Sequence, residues 1–209
     1  MLKIFTVAGL ALTMVTNGYA VGDPVAGKNK TTVCVACHGN EGVSTTPIWP
    51  NLAGQHAEYI RKQLHDFKDG KRSNPQMSPM ATPLNDTDIE DLAAYYASLK
   101  TTVGGAVEIK KIDEKLEVKL TDGQTAYRAG NPKTGLVACS ACHGPSGDGN
   151  AAAKYPVLSG QHAEYTAAAL KAFRSEERAN DDKNVMRTIA AKLSNKEIEA
   201  VANYLQGLH

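Results

Sequence analysis

Cys34-Val35-Ala36-Cys37-His38-Gly39 returns as Cys139-Ser140-Ala141-Cys142-His143-Gly144, 105 residues further along a chain of 209. Two more stretches keep nearly the same spacing. Pro50-Asn51-Leu52-Ala53-Gly54-Gln55-His56-Ala57-Glu58-Tyr59 is answered by Pro156-Val157-Leu158-Ser159-Gly160-Gln161-His162-Ala163-Glu164-Tyr165 at an offset of 106. Leu84-Asn85-Asp86-Thr87-Asp88-Ile89-Glu90 is answered by Leu193-Ser194-Asn195-Lys196-Glu197-Ile198-Glu199 at 109. A slowly drifting offset is what small loop insertions produce in a duplicated domain. The sequence therefore divides into repeat 1, residues 21–100, and repeat 2, residues 121–209, each near the lower size limit of an autonomous domain. Residues 101–120 (TTVGGAVEIKKIDEKLEVKL) have no counterpart and read as an interdomain connector.

Within each repeat the apolar spacing is helical. Tyr59, Ile60, Gln63, Leu64 and Phe67 recur at threes and fours, as do Tyr165, Ala169, Leu170 and Phe173. The last helix of each repeat opens at an aligned cap, Asn85 or Ser194. Glu197 completes a capping box with Ser194, and Asp88 is a shorter equivalent for Asn85. No run sustains strand alternation, so the sequence predicts an all-α protein.

Residues 1–20 read as a signal peptide. Lys3 precedes the apolar run IFTVAGLALTMV, and Gly18 and Ala20 are the small residues expected before a cut at Val21. The run is short for a membrane span, which needs roughly 20 apolar residues. An exported, soluble chain is the expectation. Lys+Arg 23 against Asp+Glu 22 gives a net charge of +1, without the basic excess of a nucleic-acid binder. Neither repeat is charge-biased, so no strong steering patch is expected. Aromatic residues make up only 6% of the chain, a thin supply of large core-fillers.

Cys-x-x-Cys-His is a c-type haem attachment signature. On a helical turn, positions i, i+3 and i+4 share a face, so two thiols and an imidazole address one porphyrin. The thiols form thioethers with the haem vinyl groups, and the His coordinates iron. A buried porphyrin would also supply the missing core volume of a small domain. A thioredoxin-like dithiol needs a βαβ pattern that is absent. A Cys₄ zinc site needs its second pair roughly 15–20 residues away, and two separate zinc sites need two more ligands in each repeat.

The sixth ligand separates electron transfer from small-molecule chemistry. Met186 is the sole Met of repeat 2, seven residues before Leu193. Met77 stands seven before Leu84, whereas Met80 aligns with Ile189; registry therefore selects Met77. His56 and His162 are rival ligands, but they open a helix, where solvated surface residues are the rule; His65 and His209 also read as surface. Pro50 and Pro156 are candidate owners of the carbonyl that takes the other ring N–H of each motif His. The repeated Gln and Tyr either reach haem propionates or pack.

On both CxxCH motifs, the GQHAEY segments and the C-terminal MRTIAAKLSNKEIEAVANYLQGLH, residues 21–209 resemble the cytochrome c4 family of exported bacterial dihaem proteins. The resemblance implies two tandem class I cytochrome c domains related by a pseudo-twofold axis, with one covalent haem c in each. It implies ligands Cys34, Cys37, His38 and Met77, then Cys139, Cys142, His143 and Met186, the irons being held by the two His and two Met. The segment from Gly70 to Met77 is shorter than the family sometimes shows. The implied role is a periplasmic, monomeric, non-enzymatic electron carrier in a respiratory chain. It would run from an upstream quinol-oxidising complex towards a terminal cytochrome oxidase, with loose membrane attachment. The alternative is a catalytic dihaem enzyme, a peroxidase or sulfur-compound dehydrogenase, which would need an open ligand position. A dithiol-bearing binding module would hold no iron.

Overall fold

Asp23 caps the first helix, α1 (Pro24–Asn29), accepting the N–H groups of Val25 and Ala26 while Pro24 fills the opening turn. The computed structural model describes residues 22–113 and 115–209, so the expected signal peptide lies outside the described residues. Repeat 1 continues through the short turn α2 (Val35–His38), then α3 (Ala57–Lys68), α4 (Met77–Ala81) and α5 (Asp86–Ser98). Repeat 2 gives the same series: α6 (Leu120–Ala129), α7 (Ser140–His143), α8 (Ala163–Arg174), α9 (Val185–Ala190) and α10 (Asn195–Gln206).

Both expected capping boxes form. Asp88 N–H donates to Asn85 Oδ1 at 2.9 Å and Asn85 N–H to Asp88 Oδ2 at 3.0 Å. Ser194 and Glu197 exchange the corresponding bonds at 3.2 and 2.8 Å. The shorter Asp side chain thus serves as well as Glu.

The first and last helices of each repeat pack together through a glycine. A Cβ on Gly27 would lie 2.0 Å from the Asp91 carbonyl oxygen, and one on Gly123 would lie 2.1 Å from that of Ala200. The backbones approach where no side chain fits. Around these crossings the apolar faces close: Ile60, Leu92, Tyr95 and Tyr96 in repeat 1, and Tyr127, Val201, Leu205, Ile198 and Leu193 in repeat 2. Cys34 and Cys139 pack against these clusters, so each CxxCH turn sits on its own repeat's core.

The connector departs from the all-α expectation. Strand β1 (Ile109–Lys111) pairs antiparallel with β2 (Glu117–Lys119), Lys110 opposite Val118. Three-residue strands are too short to register as alternation, yet Val118 is fully buried. The hairpin lies against repeat 2. Asn203 of α10 holds both the N–H and the carbonyl of Val107, at 3.2 and 2.7 Å, and Gln206 donates to the Gly105 carbonyl at 2.7 Å.

Candidate functional site

Each CxxCH turn is one helical turn long: His38 N–H bonds the Cys34 carbonyl, and His143 N–H that of Cys139, both at 3.0 Å. The imidazoles are buried, at 5% and 7% exposure. His38 Nδ1 donates to the Pro50 carbonyl at 2.8 Å, and His143 Nδ1 to that of Pro156 at 3.1 Å. The two prolines are therefore the carbonyl owners the sequence suggested. Burial pushes both rings below their ordinary pKa, keeping them neutral. With the proton on Nδ1, the lone pair stands on Nε2, the arrangement of a metal-binding His.

None of the four cysteines is paired in a disulfide. Burial pushes Cys34 up and Cys139 up to about 11. A redox-active dithiol needs the opposite shift at its attacking thiol, so Cys34 and Cys139 are poorly suited to exchange. Among the described residues no group of three His, Cys, Asp or Glu side chains is placed to hold a metal ion.

The methionines separate by burial. Met77, the first residue of α4, is half-buried, and its N–H donates to Asn74 Oδ1 at 2.9 Å. Met80, one turn on, is 45% exposed. Met186 in α9 is half-buried. Its neighbour Arg187 is anchored to Asp181, through N–H at 3.0 Å and Nε at 2.7 Å. Burial would raise the Asp181 carboxyl, but these donors outweigh it and hold the group below its ordinary value.

The GQHAEY segments meet across a seam between the repeats. Gln55 bonds both backbone groups of Val157, at 2.9 and 3.0 Å, and Gln161 bonds both of Asn51 at the same two distances. His56 Nε2 bonds the Asp148 carbonyl at 2.7 Å, and His162 Nε2 that of Ser44 at 2.9 Å. Such reciprocity is the mark of an isologous, pseudo-twofold contact. The two histidines, expected to be solvated surface residues, instead staple each repeat to the other's backbone.

The same seam holds Arg72 and Arg178, which the sequence reading overlooked. Their spacing of 106, in phase with GQHAEY, is the signal that would have found them. Arg178 donates to Tyr59 Oη at 2.9 Å and Gln63 Oε1 at 3.0 Å; Arg72 donates to Gln63 Oε1 at 2.8 Å and lies 3.4 Å from Tyr165 Oη. Lys62 joins them, paired with the buried carboxylate of Asp66 at 2.6 Å. Burial pushes the Tyr165 phenol up, but the guanidinium charges of Arg72 and Arg178 more than reverse this, to about 8. The buried Arg178, with the half-buried Arg72 and Lys62 beside it, carries more positive charge than the Asp66 carboxylate offsets, which calls for further anions. A haem brings two propionates, and the paired thiols and neutral imidazole suit its vinyl groups and iron. The residues present fit a c-type haem in each repeat.

Comparison with known proteins agrees. A profile of the cytochrome c family matches residues 25–100 and again 120–209. The chain is 55% identical to cytochrome c4 of Thiocapsa roseopersicina over 190 residues, 90% of this chain and 94% of that one. It is similar to the crystal structure of reduced recombinant cytochrome c4 from Pseudomonas stutzeri, with a TM-score of 0.82 at 46% identity over 90% of this chain and 100% of that one. It is also 38% identical to a thiosulfate dehydrogenase electron acceptor of Stutzerimonas stutzeri, over 82% of this chain and 76% of the relative.

Proposed function

The chain belongs to the cytochrome c4 family of dihaem electron-transfer cytochromes, and from that premise we propose that it is a periplasmic carrier passing electrons towards a terminal oxidase. The observation that carries this reading is the pair of CxxCH turns whose buried, neutral imidazoles are each fixed through Nδ1 by a proline carbonyl. Cys34, Cys37 and His38 hold one haem, with Met77 completing the iron; Cys139, Cys142 and His143 hold the other, with Met186. The half-burial of Met77, beside an exposed Met80, supports the registry argument. When bound, each haem supplies a one-electron iron couple.

The polypeptide does the rest. The proline carbonyls orient the imidazoles and raise their basicity. The Asn74 and Asp181 contacts hold the backbone beside each Met. The apolar clusters under Cys34 and Cys139 keep water from the cores, and the seam keeps the two sites in fixed relation. His and Met at both irons leave no position for a substrate, so the chain is a carrier rather than a catalyst. Its partners are redox proteins, an upstream quinol-oxidising complex and the oxidase; the chain is a monomer, loosely attached to the membrane. The Stutzerimonas relative favours a second source of electrons, a thiosulfate-oxidising enzyme, entering the same carrier chemistry.

Optical spectra of the purified holoprotein, oxidised and reduced, test this reading. The expected result is two covalent haems per chain, low-spin in both states, with no rapid binding of carbon monoxide to the reduced protein. An open haem, or turnover of peroxide or thiosulfate, would establish the enzymatic alternative.

A further inference from the structure

Each proline carbonyl that receives a motif imidazole belongs to a peptide unit whose other end is held by the opposite repeat. The carbonyl of Pro50 and the N–H of Asn51 are two ends of one amide. The carbonyl accepts from His38 Nδ1 at 2.8 Å, and the N–H donates to Gln161 Oε1 at 2.9 Å. Repeat 2 mirrors this: the Pro156 carbonyl accepts from His143 Nδ1 at 3.1 Å, while Val157 N–H donates to Gln55 Oε1 at 2.9 Å. Gln55 and Gln161 are 7% and 8% exposed, so the side chains that hold the two peptide units are themselves buried.

An amide that donates through its N–H becomes a better acceptor at its oxygen, because hydrogen bonds in a chain polarise one another. A better acceptor draws more on the Nδ1 proton and leaves Nε2 more basic. A more basic axial nitrogen favours ferric iron. Resting on the reading that His38 and His143 bind haem iron, we infer that Gln161 is a positioning residue that lowers the potential of the repeat 1 haem, and that Gln55 does the same for the repeat 2 haem. Each repeat thus sets the potential of the other. The seam is a thermodynamic link between the two redox sites as well as a mechanical one.

The test is a spectroelectrochemical titration of the holoprotein, the two haems being assigned by their hyperfine-shifted methyl resonances. Gln161→Met keeps the side-chain length and removes both amide bonds. It should raise the repeat 1 potential by about a threefold change in that haem's oxidised-to-reduced ratio, roughly 30 mV at 59 mV per tenfold, with the repeat 2 potential unmoved. Gln55→Met should do the converse. In Gln161→Met the His38 Nδ1–H resonance should move upfield, a change that loosening of the seam alone does not cause. His162→Ala, which removes a seam bond ending on Ser44 rather than on a proline peptide, should leave both potentials in place. Should Gln161→Met give no holoprotein, Gln161→Glu supplies a charged acceptor for Asn51 N–H and should shift the repeat 1 potential downwards. Equal shifts of both haems, a shift confined to the substituted repeat, or no shift at full haem content would overturn the inference. Absence of covalent haem in the unsubstituted protein would instead refute the reading beneath it, and the spectrum shows this before any titration.

Discussion

Replacing Gly123 with Ala sets two effects of opposite sign against each other. In a helix interior Ala is favoured over Gly by about 1 kcal/mol. Against that, the new Cβ would sit 2.1 Å from the Ala200 carbonyl oxygen, 2.6 Å from its carbon and 2.8 Å from Tyr204 Cβ. Relief to an ordinary carbon–oxygen contact of about 3.3 Å needs α6 and α10 to part by about 1.2 Å. The obstructing atoms are backbone and Cβ, in a helix whose Ala200 and Val201 are fully buried, so no side chain can swing aside. Overpacking of this kind costs about 1–3 kcal/mol, and the rigidity of the site points to the upper end. The net expectation is a loss of about 2 kcal/mol. For a domain of this size that lowers Tm by roughly 10 °C, at about 4–8 °C per kcal/mol. Differential scanning calorimetry of the holoprotein reads it directly, and Gly27→Ala repeats the experiment in the other domain, where the Asp91 oxygen is 2.0 Å away. A Tm that stays put or rises for either variant would show that propensity wins and that the close crossing does not constrain the fold.

Met77→Ala should abolish the far-red sulfur-to-iron band of one haem and open it to exogenous ligands, whereas Met80→Ala should leave the band intact; loss of the band in Met80→Ala alone would move the ligand assignment by three residues. Asp181 is held below its ordinary pKa, so its contribution is present at neutral pH and is lost as the pH falls through the carboxylate range and then through the lowered folded value. The far-red band of the repeat 2 haem should therefore weaken under acid, and Asp181→Asn should weaken it already at pH 7; a band indifferent to both would show that the Arg187 anchor does not position Met186. Cys37→Ser or Cys142→Ser should remove one thioether and lower the yield of holoprotein, as measured by the haem-to-protein ratio, because a domain this small lacks much of its core without the cofactor.

Repetition made most of this legible. Aligning the chain on itself located the two CxxCH turns, the capping boxes at Asn85 and Ser194, and the proline carbonyls that hold His38 and His143. It failed where the information is not local. The β1–β2 hairpin is only three residues deep, and what fixes it is the burial of Val118 against repeat 2, which no periodicity reports. His56 and His162 carry no sequence mark of the distant carbonyls they reach, because those partners come from the loops of the other repeat. Arg72 and Arg178 went unremarked, since their contacts exist only once the two domains face each other. Symmetry of residue pairs at a common offset was the signal available for them.

The contacts across the seam are polar, and the apolar clusters stay within the repeats. A hydrogen bond exchanged with water contributes on the order of 1 kcal/mol net, while bringing two free molecules together costs about 4–15 kcal/mol. As separate proteins the repeats would associate weakly. On one chain the cost is largely removed in advance. The connector is gripped by α10 from Gly105 onwards, so only residues 99–104 span from the end of α5 to that anchor. A short tether of this kind holds its ends at an effective concentration of about millimolar or more. A joint too weak to assemble from two molecules is therefore closed most of the time in one, yet any single bond in it can be altered without driving the domains apart.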